Sequence, residues 1–168
     1  MQTQKNSGTL SRTEKIGYGL GDAASNLYFQ FFNIFLFYYY TDVFGLSAGA
    51  VGTMYLLANF WDAVNDPMMG AIADRVETKK GKYRPFLLWF AIPYGAFGYA
   101  IFANPDFADL GKLIYAYLTF IGFKMIYTAI NVPYSAMMGV ITPNAVERMA
   151  LSTYRFVGAF TGGFVVSL

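Results

Sequence analysis

The stretch Asn59-Phe-Trp-Asp62-Ala-Val-Asn65-Asp66-Pro67 places two carboxylates and two amides inside an otherwise apolar run from about Val51 to Ala73. An ionised carboxylate in a lipid core costs roughly 2.5–3.5 kcal/mol even on the gentler insertion scales. Asp62 and Asp66 lie four residues apart on one predicted helix, so both need an interaction that offsets this cost. We therefore expect partners for the two acids elsewhere in the chain.

The composition is typical of a membrane protein. Hydrophobic residues make up 56% of the 168 residues and charged residues only 13%, whereas ordinary soluble domains carry about 25% charged residues. The chain has no cysteine, so it gives no information on the redox compartment. The net charge is only +2, and basic residues concentrate in one short loop, which argues against nucleic acid as a partner.

Five apolar segments follow a polar tail. Residues 1–13 lack the apolar core of a signal peptide, and we expect them to form a cytoplasmic tail. The segments cover about 16–40, 48–73, 86–103, 113–140 and 149–168. Because a helix of about 20 residues crosses a hydrocarbon core, we predict an all-α membrane protein with five transmembrane helices.

The distribution of basic residues predicts the orientation in the membrane. Loop 41–47 has no Lys or Arg and loop 104–112 has one. The tail, the start of the first helix and the loop between the second and third segments carry Lys5, Arg12, Lys15, Arg75, Lys79, Lys80, Lys82 and Arg84. Since basic residues accumulate on the cytoplasmic side, we expect a multi-pass protein of the cell (inner) membrane with a cytoplasmic N-terminus.

Polar residues of several helices are predicted to lie at one depth, from a helical rise of about 1.5 Å per residue. They are Asp22, Asn26, Asp62, Asp66, Lys124, Thr128 and Arg155. Residues three, four or seven apart share a helix face, so these stripes are expected to surround a cavity. The three acids and two bases among them sum to −1, which leaves room for one cation. The alternative is an ion-pair cluster that only holds the helices together.

Several motifs, in order, resemble the glycoside–pentoside–hexuronide:cation symporter family of the major facilitator superfamily. They are Tyr38-Tyr-Tyr-Thr-Asp42-Val-Phe-Gly45-Leu-Ser47, Trp61-Asp-Ala-Val-Asn-Asp-Pro67, Gly70-Ala-Ile-Ala-Asp74-Arg75, Gly81-Lys-Tyr-Arg-Pro85, Tyr127-Thr-Ala-Ile-Asn-Val-Pro-Tyr134 and Tyr154-Arg155-Phe156. The resemblance runs from about Glu14 to Leu168. It implies a secondary active transporter, not an enzyme, that moves a sugar or glycoside by cation-coupled symport and alternating access. No cofactor is implied beyond a coupling ion, Na⁺ or H⁺.

The resemblance also implies residue roles. Asp62, Asp66 and Thr128 match the cation site of melibiose-permease-like members, and a Na⁺ at Asp62 and Asp66 is the one metal ion expected. We add Lys124, whose ammonium would neutralise one of the two acids. Candidate substrate-binding residues are Asp22, Asn26, Asn131, Arg155, Tyr127 and Tyr134. The loop motif of the superfamily, expected to act in conformational change, corresponds to Gly70, Asp74 and Arg75.

The sequence departs from melibiose-permease-like members at four positions. Asn26 and Asn131 stand where those members have aspartates, and Ser135 stands where they have a sugar-stacking tryptophan. Lys124 occupies a position that is uncharged in them. These differences argue against a sodium site of the same design and against galactoside recognition, so the sugar and the coupling ion both stay open.

Two other functions are compatible with parts of the sequence. A carrier of lipids, lysolipids or other amphiphiles would use the same fold. An intramembrane aspartyl protease is the remote alternative, because Gly19-Leu-Gly-Asp22 matches the Gly-x-Gly-Asp pattern of such enzymes and Asp62 would supply the second acid. Their Pro-Ala-Leu segment is absent.

The length predicts an incomplete transporter. Superfamily transporters have two six-helix halves, with the substrate between them near the bilayer midplane. We expect this chain to be an N-terminal part that ends within the fifth helix. Its partners would be the sugar, a monovalent cation, the lipid bilayer and the missing C-terminal half, without which we expect no transport.

Overall fold

The computed structural model describes residues 9–78 and 81–168, and this part of the chain is all-helical. The elements are α1 (Arg12–Tyr38), a π-helical turn (Tyr39–Val43), α2 (Ala48–Arg75), α3 (Arg84–Ile101), α4 (Asp109–Ile141) and α5 (Ala145–Ser167). The predicted all-α class is confirmed. Most of the predicted tail, with Lys5, and also Lys79 and Lys80 of the basic loop lie outside the described residues.

Four helices begin earlier than their apolar segments, α3 by two residues, at Arg84, and the other three by four. α1, α4 and α5 start at Arg12, Asp109 and Ala145, four residues before the segments that predicted them. Their first turns carry charged residues, which hydropathy alone does not assign to a helix. Side-chain caps fix the starts of α2 and α5: Ser47 accepts a hydrogen bond from the Ala50 N–H before α2, and Asn144 accepts one from the Val146 N–H before α5.

Among the described residues, one helix, α4, is both long and apolar enough to cross a membrane by length and composition. The predicted number of five spanning helices is therefore not confirmed by this criterion. In α2, for example, Asn59, Asp62, Asn65 and Asp66 interrupt the apolar sequence.

The chain forms two compact units, which are described separately. The first contains Met1–Leu36 and Met138–Leu168, and the second contains Phe37–Met137.

In the first unit, α1 and α5 meet through small residues. A Cβ added at Gly162 would lie 2.6 Å from the carbonyl oxygen of Ala23, and one added at Gly19 would lie 2.7 Å from that of Tyr154. A Cβ at Gly158 would collide with the carbonyl oxygen of Gly19. Small residues four apart allow helix backbones to approach this closely in membrane proteins.

Glu147 ties the start of α1 to the start of α5. Its Oε2 accepts hydrogen bonds from the Leu10 N–H at 3.1 Å and from the Lys15 ammonium at 2.8 Å. Ser11 and Glu14 form a capping box before the first turn of α1: the Ser11 N–H donates to Glu14 Oε2 at 2.9 Å, and the Glu14 N–H donates to Ser11 Oγ at 3.2 Å. The Lys15 ammonium and the Leu10 N–H hold the pKa of the Glu147 carboxyl, which precedes the apolar part of α5, below its ordinary value.

In the second unit, aromatic rings pack where the π-helical turn meets the end of α3. The Tyr39 hydroxyl donates to the Phe102 carbonyl at 2.9 Å, and the two rings meet edge to face with centroids 5.0 Å apart. At the other end of α3, Ala73, Tyr83 and Phe86 form a buried cluster. These contacts join α3 to the chain on both sides of it.

Replacing Gly158 by alanine is expected to destabilise the first unit by about 1–3 kcal/mol, because the added methyl group has no space at the α1–α5 contact. The matched control is Gly139→Ala, since nothing lies within 4 Å of a Cβ at Gly139. That control is expected to be neutral or to stabilise by up to about 1 kcal/mol, because alanine favours helix over glycine. The midpoint of thermal unfolding in detergent measures both, and equal effects would contradict the close approach.

Stability is also expected to depend on Glu147 at acid pH. A carboxyl whose pKa is lowered in the folded state stabilises that state above its unfolded pKa, and this contribution is lost as pH falls. Thermal midpoints should therefore fall more between about pH 6 and pH 3 for the wild type than for Glu147→Gln. Identical pH profiles for the two proteins would refute a role for the Lys15–Glu147 pair.

Candidate ion and sugar sites

The acids of α2 face a lysine of α4 within the second unit. The Lys124 Nζ lies 2.6 Å from Asp62 Oδ2, and the side chains are 13% and 24% exposed. The same ammonium donates to Asn59 Oδ1 at 3.4 Å. Asn59 and Asp62 are three residues apart and share a helix face, so they hold the ammonium together.

A second contact lies one turn further along both helices. The Thr128 hydroxyl donates to Asp66 Oδ1 at 2.9 Å, and Thr128 is buried. Asp66 follows Asp62 by four residues, as Thr128 follows Lys124, so α2 and α4 run in the same direction here. The two acids therefore have different partners: Asp62 has a cation, whereas Asp66 has a neutral hydroxyl.

Besides the Tyr55 hydroxyl, two buried polar atoms of α2 lack partners within the described part of the chain. They are Asp62 Oδ1 and Asn65 Nδ2. Buried polar groups are usually hydrogen-bonded in proteins, so these atoms mark the face of α2 near Lys124 as one whose hydrogen bonding is incomplete. The sequence-based site included Asp62 but not Asn65.

The candidate sugar-binding residues of α4 form a polar and aromatic group. Asn131 donates from Nδ2 to the Tyr127 hydroxyl at 2.8 Å. The Tyr94 ring of α3 lies near Tyr127, with centroids 6.2 Å apart, and stacks on Phe123 at 5.0 Å. Tyr94 was not predicted, because no polar periodicity marks it. Tyr134, which was predicted, is buried with 7% exposure.

The first unit contains a second ion pair. The Arg155 Nη2 donates to Asp22 Oδ1 at 3.1 Å, with side chains 18% and 8% exposed. The guanidinium carbon lies 5.9 Å from the ring centroid of Tyr18, in cation–π range. Tyr18 was missed, although its position four residues before Asp22 places both on one face of α1. This group presents a guanidinium, a carboxylate and an aromatic ring.

Asn26 and Gly19 have local roles in the first unit. Asn26 donates from Nδ2 to the main-chain carbonyl of Asp22 at 2.9 Å. Gly19, the first residue of the protease-like pattern, lies against the Tyr154 backbone, and Asp22 is paired with Arg155. Helix packing and an ion pair thus account for the Gly-x-Gly-Asp pattern without protease chemistry.

Asp74 of the predicted loop motif contacts two residues that precede α3. The Tyr83 hydroxyl donates to Asp74 Oδ1 at 2.6 Å, and the Lys82 Nζ lies 3.3 Å from the same oxygen. Donation to the Asp74 carboxylate raises the pKa of the Tyr83 hydroxyl. Gly81 has a φ of +104°, which favours glycine at this turn.

The other two residues of the motif are Gly70 and Arg75. A Cβ added at Gly70 would make only ordinary contact with Val132, at 3.8 Å. Arg75 ends α2 and is exposed.

The predicted site residues thus fall into two groups. Asp62, Asp66, Lys124 and Thr128 come together in the second unit, and Asp22 and Arg155 come together in the first. The single polar layer around one cavity stays a prediction.

Comparison with known proteins agrees with the predicted family. Residues 17–168 match the family described as MFS/sugar transport protein. The chain is 50% identical to YagG of Escherichia coli K12, which is named as a glycoside/cation symporter, over 94% of this chain and 34% of that protein. The inner membrane symporter YicJ of the same organism is 45% identical, over 93% of this chain and 34% of that protein.

The isoprimeverose transporter of Lactiplantibacillus pentosus is 39% identical, over 92% of this chain and 32% of that protein. The chain belongs to the MFS/sugar transport protein family. It spans about a third of the length of these relatives.

Arg155→Gln is expected to destabilise the protein by about 3 kcal/mol, because it leaves the Asp22 carboxylate buried without a cation. The double variant Asp22→Asn with Arg155→Gln removes both charges, and it should lose less than the sum of the two single variants. Thermal or denaturant unfolding in detergent gives the coupling free energy. If the effects of the two single substitutions on the free energy of unfolding simply add in the double variant, the ion pair does not stabilise the folded protein.

Proposed function

We propose that this chain belongs to a secondary transporter that moves a sugar or glycoside across the cell membrane by symport with a cation. The observation that carries the proposal is the pair of contacts between α2 and α4, Asp62 with Lys124 and Asp66 with Thr128. Intramembrane ionisable residues are expensive and typically mark ion or substrate pathways. The family and the names of its relatives supply the substrate class, and no step requires enzyme chemistry.

The proposed topology has five spanning helices with a cytoplasmic N-terminus. Except for α3, which is 18 residues long, each helix is 23 residues or longer, so all can approach or exceed the span of about 20 residues. Asn59, Asp62 and Asp66, which lower the hydropathy of α2, have partners on α4, and this reduces the cost of placing them in lipid. The activity proposed is that of a whole transporter of the relatives' length, which needs a second half for alternating access.

We assign the coupling ion, Na⁺ or H⁺, to Asp66 and Thr128. Lys124 already compensates Asp62, whereas the partner of Asp66 is a hydroxyl. Asp66 is therefore the acid whose negative charge is free for a coupling ion.

Sugar recognition is assigned to Arg155 with Asp22, and to Asn131 with Tyr127. Carboxylate, guanidinium and amide groups bond sugar hydroxyls, and aromatic rings cover the apolar faces of sugars. A guanidinium also suits a carboxylated sugar such as a hexuronide. Asn26 bonds to the backbone and Tyr134 is buried, so we give them supporting roles. Gly70, Asp74 and Arg75 are assigned to conformational change.

Transport by the full-length protein in proteoliposomes tests this function. Uptake of labelled pentosides, hexosides and hexuronides is expected to accelerate under an inward Na⁺ or H⁺ gradient. Asp66→Asn should abolish gradient-driven accumulation, because the coupling charge is lost. Asp109→Asn, at the start of α4, is the matched control and should leave uptake unchanged.

Two results would contradict the proposal. One is sugar uptake that is indifferent to both gradients. The other is competition by lysolipids but not by sugars, which would favour an amphiphile carrier on the same fold.

A further inference from the structure

Lys124 places a fixed positive charge against the acids of α2. Its ammonium contacts Asp62 Oδ2 at 2.6 Å, and Asn59 Oδ1 provides a second acceptor at 3.4 Å. With its side chain only 13% exposed, the lysine has limited access to water as an alternative partner. The ammonium is thus held at Asp62 by two oxygens of α2.

The Asp62 carboxylate depends on this ammonium. Its other oxygen, Oδ1, is buried and has no hydrogen-bond partner in residues 9–78 and 81–168. Removing one member of a buried ion pair leaves an uncompensated charge, which is strongly destabilising. A carboxylate in this position, without Lys124, would therefore favour binding of a small external cation.

We propose that Lys124 determines ion specificity by supplying a tethered cation: its ammonium fills the place at Asp62 that a sodium ion would otherwise take. Sodium and the ammonium are both monovalent cations that carboxylate and amide oxygens attract, so they compete for the same oxygens. The lysine has the advantage of proximity, because it is part of the same protein. Sodium consequently does not bind at Asp62 or at Asp66 one turn away in the wild type, and of the two coupling ions named above the inference selects H⁺. The link between Lys124 and the choice of coupling ion rests on the proposed function. Sodium binding itself is measurable without any sugar.

Thermal unfolding of the purified full-length protein in detergent tests the inference. A ligand that binds only the folded state raises its stability and therefore the unfolding midpoint. Midpoints are compared in NaCl and in choline chloride at equal ionic strength. The variants are Lys124→Gln, which removes the charge, Lys124→Arg, which keeps it, and the double variant Asp62→Asn with Lys124→Gln, which removes both charges.

The inference expects a sodium-specific rise in the midpoint for Lys124→Gln alone. For the wild type, for Lys124→Arg and for the double variant, the midpoint in NaCl should equal the midpoint of the same protein in choline chloride. Binding of ²²Na⁺ should be at least about fivefold tighter in Lys124→Gln than in the wild type, the lower limit of common coupling effects between sites.

A sodium-dependent rise in the wild type would overturn the inference, and this measurement does not depend on the folding of any variant. A folded Lys124→Gln protein that ignores sodium would also overturn it. Failure of sugar uptake in proteoliposomes would instead count against the proposed function, since the sodium pattern is independent of sugar. Sodium-driven sugar uptake by the wild type would refute the tethered cation while leaving symport intact.

Discussion

The need to compensate the carboxylate of Asp62 determines how the second unit is organised. Its sole charged partner in the described residues is Lys124, at 2.6 Å, and this contact requires α2 and α4 to lie side by side at one register. The four-residue spacing then brings Thr128 to Asp66 on the next turn. A shift of either helix by one residue would rotate its polar side chains by about 100° and break both contacts.

In the first unit, the buried carboxylate of Asp22 is compensated by Arg155. Asp22 and Arg155 lie within hydrogen-bond distance because α1 and α5 approach closely through Gly19, Gly158 and Gly162. Gly19 precedes Asp22 by three residues and Gly158 follows Arg155 by three, so the close approach lies within a turn of the charged pair on both helices. Close backbone packing thus accompanies a buried charge in the first unit.

The sequence predicted the polar spacing of these sites but not their pairings. Four-residue spacing on two apolar helices was sufficient to place Asp62, Asp66, Lys124 and Thr128 together. It did not determine which acid the lysine contacts, because a flexible four-carbon side chain reaches either of two carboxylates one turn apart. Tyr18 and Tyr94 were missed because 20% of the residues are aromatic, so the sequence does not distinguish a tyrosine at a site from one in the core. Charged first turns likewise concealed the starts of α1, α4 and α5.

In the symport proposed above, the unequal partners of the two acids would let one helix combine stability with ion coupling. A tethered ammonium cannot leave the protein, so the charge of Asp62 is compensated in every state in which α2 and α4 stay packed. The hydroxyl of Thr128 compensates no charge, so the net charge at Asp66 would change whenever the proposed coupling ion binds or leaves. A transport cycle requires that change at one position, and it requires constant packing beside it. Placing the acids one turn apart gives each requirement its own residue, and we therefore infer that Asp62 serves mainly the packing and Asp66 the coupling.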